Sequence, residues 1–154
     1  MAFVDIAYLK KSHIKNEYIV YQRHQTGQKV EIKIESCIKN IIERYQDSSS
    51  EYLFPIIHST KPKDAYRQYR TQIGYYNRLL KQLAKQCCIQ ENLTSYVTRH
   101  SWASHAYESN INLPIISRAL GHALPQTTLI YIKDINDVAL EIANHRIIKQ
   151  ILQQ

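Results

Sequence analysis

Three short stretches in the last third of the chain carry side chains able to handle a reacting anion. They are Tyr96-Val97-Thr98-Arg99-His100, Leu120-Gly121-His122 and Thr127-Thr128-Leu129-Ile130-Tyr131. Arg and His donate hydrogen bonds to an oxyanion, and the guanidinium stays charged at any working pH. Tyr offers an oxygen nucleophile, although a pKa of about 10 means it needs cationic neighbours at neutral pH. Together the three types suit in-line attack on a phosphate ester, with the charge that builds on the non-bridging oxygens met by fixed donors instead of a metal. A metal centre fits the residues poorly. His100 and His105 are five apart, where two ligands on one helix face want i and i+4, and no Cys-x-x-Cys occurs. No cofactor and no metal are expected. Each of these residues alone is ordinary: a Tyr usually packs in a core, an Arg usually sits on the surface, and a His after Gly often follows a helix end.

The elements that must position them can be read from periodicity and breakers. Residues 97–107 form a helical pattern carrying Trp102, Ala103 and Ala106, broken by Ser109-Asn110-Ile111-Asn112. Pro114 suits the first turn of a helix running to Leu120, and Gly121 its stop. After Pro125 a short turn spans Thr127 to Tyr131, and Asp134 or Asn136 can cap a final helix through Ile148. Upstream, Tyr18-Ile19-Val20-Tyr21 reads as strand. Val30, Ile32 and Ile34 alternate with Lys29, Glu31 and Lys33, and Gln25-Thr26-Gly27-Gln28 supplies the turn between the two. Residues 36–46 read as a helix through Ile38, Ile41, Ile42 and Tyr45, ended by Asp47-Ser48-Ser49-Ser50. Over residues 63–87 the residues Tyr66, Tyr69, Ile73, Tyr76, Leu80, Leu83 and Cys87 make one apolar stripe, which predicts a core face. Arg67, Arg70, Arg78, Lys81 and Lys85 fall away from it and are expected to be solvated. Phe3, Val4, Ile6, Ala7 and Leu9 have helical spacing with no capping residue ahead of them. The expected fold is mainly α with a small antiparallel sheet from residues 17–35.

At 154 residues the chain fits one domain. Lys and Arg total 20 against 13 Asp and Glu, a net +7 with pI near 9.3, so a polyanion partner is admissible. Of the three cysteines, Cys87 and Cys88 are adjacent, which disfavours a disulfide framework. No run approaches the ~18 apolar residues of a membrane span, and no signal-peptide pattern opens the chain. A cytoplasmic setting without a membrane partner is expected.

In their order and spacing, the three stretches resemble the second and third motif boxes of the tyrosine recombinases, the integrases of phages and mobile elements. An Arg-His pair opens a helix, Leu-Gly-His follows about twenty residues on, and a Tyr comes nine residues after that His. Arg-His-Ser-Trp-Ala-Ser-His-Ala at 99–106 and the Tyr-Arg-x-Tyr helix at 66–69 strengthen the likeness. The resemblance implies site-specific DNA recombination by strand cleavage and rejoining. Tyr131 would attack to give a 3′-phosphotyrosyl link, Arg99 would grip a non-bridging oxygen, and His122 would donate to the same phosphate. Tyr96 stands where the wider family has a His. Arg23, His24, Gln25, Lys29 and Arg118 would face DNA. The implied partners are double-stranded DNA at specific recombination sites and further recombinase subunits in a tetramer. Residues 134–149, through Val138, Ile142 and Ile147, are one candidate contact between subunits, and packing on their own domain is the other.

Two departures from the family pattern shape the expectation. The first catalytic Arg, which normally lies just before the segment resembling Met1-Ala2-Phe3-Val4-Asp5, is missing. Gln25 replaces the hairpin Lys that would protonate the leaving 5′-oxygen. The chain is therefore expected to be a single catalytic domain over 1–154, a fragment without the N-terminal DNA-binding domain, that cleaves weakly or not at all by itself. The alternative is a non-catalytic helix-turn-helix-like DNA-binding module built on residues 99–109 and 114–120, with only Ser117 and Arg118 available for base contacts.

Overall fold

The two alternating segments pair as antiparallel strands, β2 (Tyr18–Gln22) and β3 (Lys29–Lys33), with Tyr18 opposite Lys33 and Gln22 opposite Lys29. The computed structural model describes residues 1–45, 47–122 and 126–129. Ile19, Tyr21 and Val30 turn inward and are buried, while Lys29, Glu31 and Lys33 stay exposed, as period-two patterning demands. The connecting loop closes through two 2.8 Å bonds, Arg23 N–H to Gln28 O and Gly27 N–H to Arg23 O. Gly27 takes φ +66°, a conformation that the missing Cβ makes cheap.

A third strand lies outside the sequence expectation. β1 (Ile14–Lys15) pairs antiparallel with β2, giving the order β1-β2-β3. Asn16 and Glu17 join them with φ of 46° and 66°. Two positive φ values in a two-residue connection are the type I′ turn whose twist matches the strands. Against this sheet lies α2 (Ser36–Tyr45), and Leu9, Ile19, Tyr21, Val30, Ile42 and Leu53 form the first core.

α3 (Pro62–Gln86) has Pro in its first turn, where the lost N–H needs no partner. Its inward line is rotated from the expected stripe. Ala65 and Ala84 are buried and Tyr69, Ile73, Tyr76 and Leu80 half-buried, whereas Tyr66, Leu83 and Cys87 are exposed. Along the helix up to Tyr76 the partner is α1 (Phe3–Ala7), whose Phe3 ring stacks on Tyr76 at 5.0 Å. The small Ala65 joins Ala7, Tyr52 and Ile57 in a second core. On the outer side Lys63, Arg67, Arg70, Arg78, Lys81 and Lys85 are all exposed, in one row of three- and four-residue steps that passes through Gly74. Asp64 is the sole carboxylate on this helix, so six cations against one anion give it +5 of the chain's +7.

α4 (Val97–Glu108) and α5 (Leu113–Leu120) pack through Ala103, Ala106, Ile116 and Leu120, the third core. Both end in the same device. A residue in the left-handed region, Asn110 at φ 60° or Gly121 at φ 63°, lets the next N–H reach back: Ile111 to Ala106 O and His122 to Ser117 O, each at 3.0 Å. This is the Schellman ending. A last short turn, α6 (Gln126–Leu129), contacts α5. Among the described residues no helix is long and apolar enough to cross a membrane.

Candidate phosphate-binding site

Gly121 is the pivot of the site. Its left-handed backbone sends the chain sharply away from α5, so that His122 leaves in a fixed direction. A Cβ there would sit 2.9 Å from Val30 Cγ2 and 3.0 Å from Arg23 Cδ, so the close approach of the β2–β3 hairpin also requires glycine. Conformation and packing thus impose the same residue between Leu120 and His122.

Arg99 lies in the first turn of α4 and is 5% exposed. Its Nη2 donates to the Leu120 carbonyl and also lies 3.1 Å from His122 Nε2. Two residues 23 apart in sequence are thereby joined at one point. His122 Nδ1 is 2.8 Å from the Oγ1 of Thr128, a side chain with no exposed surface. Burial first, then the Arg99 and Arg23 guanidinia, push the His122 pKa down to about 4, so the ring is neutral at pH 7. Beside Arg99 opens a cavity of about 440 Å³, lined by Val30 and Ile32 of β3, Thr98 and Trp102 of α4, and Leu120.

The hairpin loop is fastened to the same place. Arg23 is 4% exposed; its Nη1 donates to Gly121 O at 3.1 Å and its Nη2 to Gln25 Oε1 at 3.4 Å. Thr26 Oγ1 also donates to Gly121 O, at 3.2 Å. Behind Arg23 stands Asp5, buried in α1. Its Oδ1 accepts from His24 N–H at 2.8 Å, and its Oδ2 faces Arg23 Nε at 3.9 Å. A buried carboxylate beside a buried guanidinium neutralises a charge that neither group could carry alone in this interior. The nearby Tyr21 phenol is pushed up to about 12, by burial first and then by the Asp5 carboxylate, so it stays protonated.

The structure brings Arg99 and His122 together and sets Arg23 against the same turn. His24 and Gln25 are exposed on the loop, with the His24 ring stacked 5.0 Å from that of Tyr8. Lys29 is exposed at the base of β3, 3.6 Å from Glu31. Arg118 is exposed on α5. Tyr96 precedes α4, is 38% exposed, and has its ring 5.4 Å from that of His100. Tyr131, Val138, Ile142, Ile147 and the expected final helix lie outside the described residues. Sequence reasoning missed Asp5, Thr26 and Thr128. The one signal for Asp5 is an acid set between Val4 and Ile6 in an apolar run, and Thr128 is marked by nothing beyond its place before Tyr131.

The chain is similar in sequence and fold to several known proteins. The tyrosine recombinase XerD of Halalkalibacterium halodurans is 44% identical over 54 residues, which are 35% of this chain and 18% of that protein. Among solved structures, the XerA recombinase superposes with a TM-score of 0.65 at 21% identity, over 94% of this chain and 52% of that one. The Tn1549 transposon integrase in complex with transposon right end DNA gives 0.65 at 12% identity, over 95% of this chain and 54% of that one. These structural likenesses concern the fold, and the chain spans about half or less of each protein it matches. The profile of the phage integrase family matches residues 4–137, and the chain belongs to that family.

Proposed function

We propose that this chain is the catalytic domain of a site-specific DNA recombinase that cleaves and rejoins strands through a 3′-phosphotyrosyl intermediate at Tyr131. The single observation that carries the reading is the meeting of Arg99 and His122 at 3.1 Å beside an open cavity. Those two groups would take the non-bridging oxygens of the scissile phosphate and stabilise the charge that develops there. Tyr131 Oη would attack phosphorus as the bond to the 5′-oxygen breaks, and that oxygen would leave with a proton. The phosphotyrosyl ester keeps the bond energy, so a 5′-hydroxyl from another strand can reverse the step. Gln25 stands where the family has a Lys to protonate the leaving oxygen, and an amide is a poor acid.

Double-stranded DNA is the proposed substrate, a reading supported by the Tn1549 transposon integrase being in complex with transposon right end DNA. The basic outer row of α3, the exposed His24, Gln25 and Lys29 of the hairpin, and Arg118 would follow the DNA backbone, with Tyr96 near the phosphate. Arg23, buried and bonded through Nη1 to Gly121 O and through Nη2 to Gln25 Oε1, would hold the loop in place for them. Other recombinase subunits would complete a tetramer, and the reaction would take place in the cytoplasm. The chain would supply the catalytic part of a longer protein, and by itself would cleave slowly. The test is a nicked suicide duplex incubated with the chain and run on a denaturing gel. A covalent adduct that disappears in Tyr131→Phe supports the proposal. An adduct that persists in Tyr131→Phe, or site-specific footprinting with no adduct even at long times, refutes it.

A further inference from the structure

We infer that Thr128 is a positioning residue whose hydroxyl serves Nδ1 of His122 as a two-way partner and so decides which ring nitrogen carries the proton. The inference rests on reading His122 as a phosphate ligand. Arginine has donors and no acceptor, so His122 Nε2, 3.1 Å from Arg99 Nη2, must present its lone pair. The proton of the neutral ring is then on Nδ1, and Thr128 Oγ1 at 2.8 Å accepts it. With no exposed surface on Thr128, water cannot take over that task.

A hydroxyl differs from a carbonyl or carboxylate partner at this position because it can also donate. When a phosphate oxygen, an acceptor, occupies the place facing Nε2, the ring must turn its proton to that side. Thr128 then rotates its O–H toward Nδ1 and the bond survives with its direction reversed. His122 can donate to phosphate in this way without becoming charged, as its low basicity requires. The proton moves when the Thr128 bond opens transiently and the half-buried ring exchanges it with solvent, and no net charge is gained or lost. Thr128 also stands three residues before Tyr131 in the sequence, so the same bond ties His122 to the segment that leads to the nucleophile.

The test is to record the ring nitrogen resonances of the ¹⁵N-labelled chain near pH 7, with His122 identified by its loss in His122→Asn. The free chain should show protonated Nδ1 and unprotonated Nε2. In Thr128→Val, nearly isosteric with the native residue, the ratio of the two neutral forms should fall about five-fold toward Nε2–H, the effect of one ordinary hydrogen bond. Thr128→Ser should restore it. Finding Nε2 protonated in the free wild-type chain overturns the assignment whether or not the valine variant folds, and an unchanged ratio in folded Thr128→Val does the same. If the nitrogens respond as expected while neither wild type nor Thr128→Ser yields a tyrosyl–DNA adduct, the tautomer assignment stands and the recombinase reading falls.

Discussion

Replacing Gly121 by Ala puts two separable loads on one position. A left-handed backbone costs an L-residue roughly 1–2 kcal/mol, and φ here is +63°. The added Cβ would lie 2.9 Å from Val30 Cγ2 and 3.0 Å from Arg23 Cδ, and forcing a packed interior apart costs about 1–3 kcal/mol more. The expected loss is about 2–5 kcal/mol, which for a domain of this size lowers the melting temperature by about 5–15 °C. Thermal unfolding followed by circular dichroism at constant pH reads this directly. Gly121→Asn separates the loads, because Asn tolerates the left-handed region while still bringing a Cβ. It should recover only part of the loss. Pairing Gly121→Ala with Val30→Ala removes the nearest clash, so the double variant should be more stable than the two single losses predict, by about 0.5–2 kcal/mol. A Gly121→Ala melt within about 1 °C of wild type, or strict additivity with Val30→Ala, would refute the packing argument.

Other outcomes follow from the site and the surface around it. The His122 pKa, about 4 in the folded chain, lies below the ordinary value of 6.5, so the unfolded state binds more protons between those limits. Stability should therefore fall as pH drops from 6.5 toward 4. His122→Asn should flatten that part of the profile in urea titrations at several pH values; parallel profiles would contradict the shift. On α3, Arg78→Glu with Lys81→Glu should weaken binding to any duplex and reduce the slope of log affinity against log salt by about 2, at roughly 0.9 per lost phosphate contact. Fluorescence anisotropy across a salt series checks this, and an unchanged slope places DNA elsewhere. Gln25→Lys should raise the rate of adduct formation on a suicide duplex at constant DNA affinity, and a rate equal to wild type would remove residue 25 from the leaving-group side.

Much of the fold could be read directly from the residues, and the failures have physical causes. Pro114 and Gly121 bracket α5 as their backbone preferences require, and alternation in Lys29–Lys33 marks β3. β1 escaped notice because two residues, Ile14 and Lys15, are too few to show a period, though Asn16 was a hint of its turn. In α3 the apolar stripe pointed to Tyr66 and Leu83, yet Ala65 and Ala84 are buried in their place. At Ala65, docking against α1 rewards a small side chain that lets backbones approach, whereas hydrophobic ranking favours large ones. The pairing of Arg99 with His122 was foreseeable from motif order. The Asp5–Arg23–Gly121 chain was not, since it joins residues up to 98 positions apart through a backbone carbonyl that no side-chain pattern announces.

That carbonyl has a kinetic meaning. The sheet and the α4–α5 pair are each held by contacts close in sequence, but Arg23 and Thr26 reach Gly121 only across 98 and 95 residues. Closing so long a loop is slow and entropically costly, so local pieces form before it is made. An emerging polypeptide, or one partly opened by heat, would therefore hold Arg99 and His122 on a helical pair that has not yet received its hairpin. The buried junction of Arg23, Thr26 and the Gly121 carbonyl exists only once the hairpin has docked, so the Arg99–His122 pair acquires its final surroundings last.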